Sequence, residues 1–426
     1  MTLKEYAFTM DTSSIKFGPG VTREIGYDMK ALGASKVMVV TDARMSDSET
    51  VSIALEALQE HGIKAVLFDQ VRIEPTDESL KSAIEFATEG AFDGYIAIGG
   101  GSVMDTAKAA NLYATYPADF LAYVNAPIGE ARSVPGKLRP LIAVPTTSGT
   151  GSETTGVVIF DLTEMHAKTG IAHRALRPSM GILDPLNTLS MPKMVTASTG
   201  LDVLCHAVES LTAMPYSDRP APEDPGKRPA YQGANPISRI WASKAIELVS
   251  KYLVAAIEDP ADIEARSQMM LAATYAGIGF GNAGVTLPHG MSYPVSGMVK
   301  NYYPPEYPQD HPIVPHGVSV ILNAPAVFRF TASANPEVHL YAASLMGIDV
   351  SRAKPEDAGE VLAGALIEIM QRVGVPNGLS AIGYTIEDIE DLVEGTLPQH
   401  RVTKLSPRPA GAEDLANLFM QSLRIW

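Results

Sequence analysis

The chain has one cysteine, Cys205, in 426 residues. That excludes an intramolecular disulfide and any zinc cluster built on thiolates, and it fits a reducing compartment. Positive charge is also scarce: 33 Lys and Arg stand against 48 Asp and Glu, a formal net charge of -15, and no local basic stripe offsets it. Such a chain repels a phosphate backbone, so nucleic acid is not an expected partner. No apolar run approaches the roughly 18 residues a membrane helix needs. The opening MTLKEYAFTMDTSS carries Lys4 and Glu5 with no apolar segment behind them, unlike a secretory leader. No repeat of fixed period is found. The expectation is a cytoplasmic protein with no membrane or nucleic-acid partner.

What is present points to two domains, because a chain of this length exceeds the size at which one hydrophobic core stops growing. Five short apolar runs, SKVMVVTD (35–42), IKAVLFDQV (63–71), GYIAIGGG (94–101), RPLIAVPTT (139–147) and GILDP (181–185), each end in turn residues. The first three are separated by segments long enough for crossover helices, as in a parallel, helix-covered sheet. After DPLNTLSMP the strand signal fades, and the remaining segments read at helical spacing. The boundary falls near Leu189, giving an α/β domain over 1–188 and a helical domain over 189–426, with a ligand expected in the cleft between them.

The stretch GYIAIGGGSVMDTAKAAN puts three glycines, Gly99, Gly100 and Gly101, between a strand and a helix. A helix start has unpaired N–H groups and partial positive charge, and bare backbone there makes a cradle for phosphate. The alternative is that Ser102 and Asp105 close a capping box. Asp42, at the end of an earlier strand, can bond ribose hydroxyls or cap the next helix. VPTTSGTGSET supplies further hydroxyls and glycines, among them Thr146, Thr147 and Thr150. Three such loops favour a dinucleotide over a mononucleotide.

The second half holds GLDVLCHAVES, which sets Asp202 and His206 four apart on one helical face, and two Pro-His-Gly triplets, at His289 and His316. One carboxylate and three imidazoles suit a divalent metal, Zn among them. His61, His166, His173, His311, His339 and His400 gain no role from spacing, although His311 in DHPIVPHG is close to the second triplet.

In order and spacing, GGGSVMDTAK, PTTSGTGSE, GLDVLCHAVE, LPHGMSYP and VPHGVSV resemble the iron-dependent, group III alcohol dehydrogenases. The resemblance implies a dehydroquinate-synthase-like fold, with an N-terminal nucleotide-binding α/β domain bearing a parallel sheet and an all-helical, metal-binding C-terminal domain. It implies that Asp202, His206, His289 and His316 bind the metal, and that Gly99, Gly100, Gly101 and Ser102, with Asp105 in the same segment, meet the pyrophosphate of NAD. It further implies that Thr146, Thr147 and Thr150 line the cofactor site and that Asp42 favours NAD over NADP. Lys168 matches a family lysine near the cofactor; the alternative is a solvated lysine.

Within the family, RPAYQGANPIS (228–238), HGMSYPVSGMVK (289–300) and DHPIVPHG (310–317) are most similar to the hydroxyacid-oxoacid transhydrogenase branch, which moves a hydride between 4-hydroxybutyrate and 2-oxoglutarate. Many alcohol dehydrogenases of the family carry a second histidine four residues after the first of the two, where this chain has Tyr293. A phenol is a poorer base than imidazole at neutral pH, so Tyr293 either relays a hydrogen bond or the proton leaves by another path.

The loop SDRPAPEDPGKRPAYQGANPISRIW (217–241) offers Arg219, Lys227, Arg228 and Arg239 to a substrate carboxylate, unless they pair with Asp218, Glu223 and Asp224. Two other readings are kept: an NAD-linked dehydrogenase of short alcohols or diols, and a non-catalytic NAD-binding filament or assembly protein. A homodimer or larger homo-oligomer is the ordinary expectation.

Overall fold

The computed structural model describes residues 3–165, 167–307 and 309–426. The chain divides into two compact units, one of Asp11–Ser190 and one of Met1–Met10 with Met191–Trp426.

The first unit is built on eight strands: β1 (Ser14–Phe17), β2 (Lys36–Val40), β3 (Lys64–Phe68), β4 (Gly94–Gly99), β5 (Leu141–Pro145), β6 (Val157–Leu162), β7 (Ala167–Ala172) and β8 (Met180–Leu183). Six of them form a parallel sheet in the order β1-β8-β5-β4-β2-β3. β4 and β5 are buried along their whole length, which explains their unbroken apolar runs: both faces are covered. Ile96 and Ile98 pack with Met29 of α1 (Ile25–Ala31) and Leu58 of α2 (Glu49–Glu60). Tyr95 and Ala97, pointing the other way, pack with Ala83 of α3 (Asp77–Gly90) and Val103 of α4 (Gly101–Thr115).

In a parallel sheet all carboxyl ends lie on one edge, the usual place for a ligand. β4 lies between β2 and β5, with Val40 opposite Ala97 and Pro145 opposite Gly99. The loops after these three strands, which carry Asp42, the glycines and Thr146–Thr150, are therefore neighbours. Three strands go beyond the sequence reading. β1 is not among the five apolar runs, and β6 and β7 form a separate antiparallel pair in register from Val157↔Ala172 to Leu162↔Ala167.

The second unit is helical, with no strand among its described residues beyond isolated bridges. Its helices are α5 (Lys193–Thr212), α6 (Pro236–Glu258), α7 (Ile263–Ala283), α8 (Leu287–Gly297), α9 (His316–Ile321), α10 (Ala324–Thr331), α11 (Pro336–Leu345), α12 (Ala358–Val373), α13 (Ile389–Thr396), the single turn α14 (His400–Thr403) and α15 (Ala412–Ser422). Leu204 and Val208 of α5, Ile246 and Val249 of α6 and Ala272 and Ala276 of α7 sit at the centre of its core.

The first ten residues, placed with the α/β half by the sequence reading, cluster here instead. Arg228 forks onto Glu5 through Nε at 2.9 Å and Nη2 at 3.0 Å. The Gln232 side chain bonds the backbone N–H and carbonyl of Thr9, both at 3.0 Å.

Candidate metal centre and nucleotide loops

α5 presents Asp202, His206 and Glu209 at spacings of four and three, so all three emerge on one face. His289 stands in the first turn of α8, entered through Pro288, and His316 is the first residue of α9, entered through Pro315. The glycine of the second triplet has a steric reason. A Cβ on Gly317 would lie 1.9 Å from the carbonyl oxygen of Ser198 and 3.0 Å from Cβ of Asp202, so only glycine lets α9 press against α5 at this level. That approach delivers His316 to Asp202.

The Asp202 Oδ1 is 3.5 Å from His289 Nε2, 3.7 Å from His206 Nε2 and 3.8 Å from His316 Nε2. Ligand atoms of Asp202, His206 and His289 all lie within 4.8 Å of one another. His316 stands at the margin of this group, its side chain 29% exposed where Asp202 is 3%. Asp202 Oδ1 and His289 Nε2 are buried with no hydrogen-bond partner, as is His206 Nδ1, the nitrogen other than the one 3.7 Å from Asp202. Buried polar atoms are normally paired, and an acid with imidazoles aimed at one point is what a divalent cation satisfies. The residues fit a metal.

Glu209 is the part that the sequence reading missed. It is fully buried, accepts from Nδ1 of His289 at 2.5 Å, and also accepts from the Thr286 N–H at 2.6 Å. Holding the far nitrogen of an imidazole leaves Nε2 to ligate and makes it a stronger donor. The signal was present, because Glu209 continues the Asp202/His206 face by three residues.

Without a cation the charges compete. Burial favours a neutral Asp202, but the surrounding imidazoles hold its carboxyl below the usual range. Burial pushes His206 down to about 3. Burial also opposes charge on His289, yet Glu209 and Asp202 outweigh it and raise this imidazole to about 10. The nearby Cys205 packs in the core.

The nucleotide loops are arranged differently. α4 begins at Gly101 with Gly100 as N-cap, and no side chain caps it. The capping box weighed from sequence is not formed. Ser102 Oγ instead accepts from the Glu74 N–H at 3.2 Å, and Asp105 accepts from Ser152 Oγ at 2.8 Å and from the Ile159 N–H at 2.9 Å. Asp105 thus ties α4 to the Ser152 turn and to β6.

Lys108, fully buried one turn further along α4, donates to Ser152 Oγ at 2.5 Å and to the Val157 carbonyl at 3.1 Å. Burial lowers its ammonium to about 8, against the pull of Asp105 and Glu153. The Thr146 N–H donates to the Gly99 carbonyl at 3.1 Å, and the Cβ position of Gly100 is 3.5 Å from Thr147. A Cβ on Gly101 would meet Cγ2 of Thr150 at 2.6 Å. The glycines therefore serve close packing of the threonine loop as well as an open helix start.

Asp42 does not cap a helix; α2 begins at Glu49 with Ser48 as its cap. The Asp42 carboxylate accepts from the Arg44 N–H at 3.0 Å in a local turn. Lys168 on β7 is buried and doubly paired, with Glu74 at 2.6 Å and Asp161 at 3.1 Å, which replaces the picture of a solvated lysine.

In the helical unit, Tyr293 stands four residues after His289 on α8, its hydroxyl accepting from Arg401 Nη2 at 2.9 Å. Arg228 is committed to Glu5. Lys227 lies 3.9 Å from Glu223 at the surface, Arg219 is partly buried, and Arg239 is exposed on α6. The structure gathers none of these four around the metal ligands. His311 bonds its neighbour Asp310 at 2.9 Å, and His166 lies outside the described residues.

Residues 12–185 match the sequence profile of the iron-containing alcohol dehydrogenases, and residues 230–423 match that of the Fe-containing alcohol dehydrogenase family, C-terminal. The chain belongs to the iron-containing alcohol dehydrogenase family. The chain is 56% identical over 424 residues to the mitochondrial hydroxyacid-oxoacid transhydrogenase of Mus musculus, covering 99% of this chain and 91% of that protein. The human protein of the same name is 55% identical with the same coverage. Among solved structures, a 1,3-propanediol oxidoreductase superposes with a TM-score of 0.85 at 28% identity, over 98% of this chain and all of that one. A sulfoacetaldehyde reductase from Bifidobacterium kashiwanohense in complex with NAD+ gives 0.80 at 26% identity over the full length of both. The family is one of oxidoreductases, and this chain is an enzyme of that kind. Its α/β and helical halves accord with the fold expected from sequence. No described helix is long and apolar enough to cross a membrane.

Proposed function

We infer that the chain is a metal-dependent hydroxyacid-oxoacid transhydrogenase, taking hydride from a hydroxy acid of the 4-hydroxybutyrate type and passing it, by way of NAD, to an oxo acid such as 2-oxoglutarate. The observation that carries this reading is near-full-length identity above one half with proteins named for that activity, on a chain that keeps a buried, unsatisfied Asp/His cluster.

Asp202, His206, His289 and His316 would hold Fe(II), or Zn, and the loops of Gly99–Ser102 and Thr146–Thr150, with Asp42, would hold NAD. When bound, the metal supplies a Lewis acid to the substrate oxygen and NAD supplies the hydride acceptor. The chain's own contribution is orientation. Glu209 fixes the tautomer and angle of His289. The Tyr293 oxygen accepts from Arg401, which leaves its O–H free to donate. Asp105 and Lys108 hold the Ser152 turn and with it the threonine loop against Gly101. Lys168, fixed by Glu74 and Asp161, places a positive charge in the same unit as that loop.

A second reading, an NAD-linked dehydrogenase of short alcohols or diols, is supported by the fold likeness to a 1,3-propanediol oxidoreductase. The two separate in one assay. Iron-reconstituted protein under anaerobic conditions is given 4-hydroxybutyrate with 2-oxoglutarate and no added NAD. Product in that mixture supports the transhydrogenase; NADH formed only on addition of NAD, with butan-1-ol outpacing the hydroxy acid, sinks it. A homo-oligomer is supported by large apolar side chains left exposed in the helical unit, Leu3, Tyr6, Ile237 and Ile240. A reducing compartment suits the single buried cysteine. The cytoplasm meets that need, although the named relatives are mitochondrial.

A further inference from the structure

Arg401, partly buried, is anomalous among the cations that the fold draws inward. Lys108 has Asp105, Lys168 has Glu74 and Asp161, and Arg228 has Glu5. Arg266 has no acid but bonds the Pro260 and Met191 carbonyls and the Thr196 hydroxyl through its three nitrogens. Arg401 forms no ion pair among the described residues. Its Nη2 donates to Tyr293, its guanidinium carbon lies 5.0 Å from the centre of the Tyr231 ring, and its Nη1 is buried with no hydrogen-bond partner. A partly buried guanidinium held by hydrogen bonds to two tyrosines, with one buried nitrogen idle, is costly unless something anionic completes it.

Its place in the fold says what that is. α14, which carries Arg401, packs on α8 with Val402 and Thr403 over Gly290, the residue after the metal ligand His289. Tyr293, the hydroxyl that Arg401 holds, is one helical turn from His289 on the same face. A turn rises about 5.4 Å, comparable with the separation of hydroxyl and carboxylate across three methylenes. Both tyrosines belong to the stretches that set this chain apart in sequence, RPAYQGANPIS and HGMSYP.

We propose that Arg401, held by Tyr293 and Tyr231, binds the carboxylate of the hydroxy-acid substrate through Nη1, the nitrogen that no group of the chain satisfies. The inference deepens the hydroxy-acid reading and rests on it. It also moves the anion-recognition role from the 217–241 loop, where Arg228 already has Glu5, to a residue without sequence signature of its own. A planar fork suits a carboxylate, and lysine is a poorer substitute.

The test uses wild type, R401M and R401K, reconstituted with iron and assayed with 4-hydroxybutyrate and with butan-1-ol. Each is also titrated with butyrate, a carboxylate lacking the hydroxyl, and followed by thermal unfolding. In R401M the KM for 4-hydroxybutyrate should rise about 10–100-fold, as for loss of a charged hydrogen bond. The ratio of kcat/KM for 4-hydroxybutyrate over butan-1-ol should fall by a similar factor, with R401K intermediate. Butyrate should raise the Tm of wild type and not that of R401M. A ratio that stays constant while both substrates decline would mean that Arg401 only supports the fold, and butyrate stabilising R401M as well as wild type would overturn the proposal. If wild type oxidises no hydroxy acid at all, the functional reading fails while the butyrate titration still decides Arg401.

Discussion

The metal cluster and the nucleotide loops bury charge in opposite ways. Around Ser152 each buried charge meets a counter-charge or a hydrogen bond: Asp105 takes a hydroxyl and an N–H, and Lys108 takes a hydroxyl and a carbonyl. Around Asp202 the reverse holds, because Asp202 Oδ1 and His289 Nε2 face each other at 3.5 Å and neither has a hydrogen-bond partner. The first pattern completes itself on folding; the second waits for a ligand. Buried ionisable residues are thus no guide to a site by themselves, whereas buried ionisable residues without partners are.

The contrast breaks most severely at Asp202. Asp202→Ala removes the acid on which three imidazoles converge, and should abolish iron retention and cost several kcal/mol of catalytic barrier, a loss of about a thousandfold or more in kcat. Metal analysis of the purified variant beside steady-state rates checks it; full iron occupancy in the variant would mean that the metal is held elsewhere.

A milder cut spares every ligand. Glu209→Gln keeps the shape but removes the charge facing His289 Nδ1, and should weaken metal binding about 10–100-fold, measured by competition with a chelator. Unchanged affinity would reduce Glu209 to a helix-packing acid.

On the nucleotide side the expected effects follow from packing. Gly101→Ala sets a methyl 2.6 Å from Cγ2 of Thr150. Overpacking of this kind costs about 1–3 kcal/mol, so the KM for NAD should rise roughly tenfold or more. Thr150→Ser deletes the offending methyl, and the double variant should recover part of the loss. Equal KM values in the single and double variants would mean that the glycine acts through its backbone alone.

The same contrast shows what the sequence could disclose. Residue types that only a metal needs, such as an Asp and His four apart and two Pro-His-Gly triplets, are visible in the string because their chemistry is local to the side chain. Glu209 was readable but unread: it lies on the same helical face, and nothing in its type distinguishes a ligand's support from a surface acid. Ser102 and Asp105 have the spacing of a capping box, yet tertiary partners took both, Glu74 and Ser152 respectively. The β6–β7 pair hid behind its short connection, and β1 behind a four-residue run of which half is polar. Arg401 has no motif at all. Only the fold shows that a surface-type residue has been drawn under two tyrosines.

The smallest expected effect concerns the tie between the first ten residues and the 217–241 loop, and it separates Arg228 from Arg401. The Arg228 guanidinium, against the opposing effect of burial, holds the Glu5 carboxyl down to about 2, where such a group usually titrates near 4.5. A carboxyl whose pKa is lower in the folded chain binds fewer protons there than in the unfolded chain between those two values, so stability falls as pH drops through that window. The contribution is fully present above about pH 4.5 and gone near pH 2. Glu5→Gln should therefore lower Tm by about 2 °C at pH 7, and the gap from wild type should narrow as pH is lowered from 5 toward 3. A constant gap would mean that shape and not charge makes the contact. The KM for 4-hydroxybutyrate should not move in this variant, since a guanidinium paired with Glu5 is not the one that meets substrate. A KM that falls when Glu5 is neutralised would return the carboxylate to Arg228.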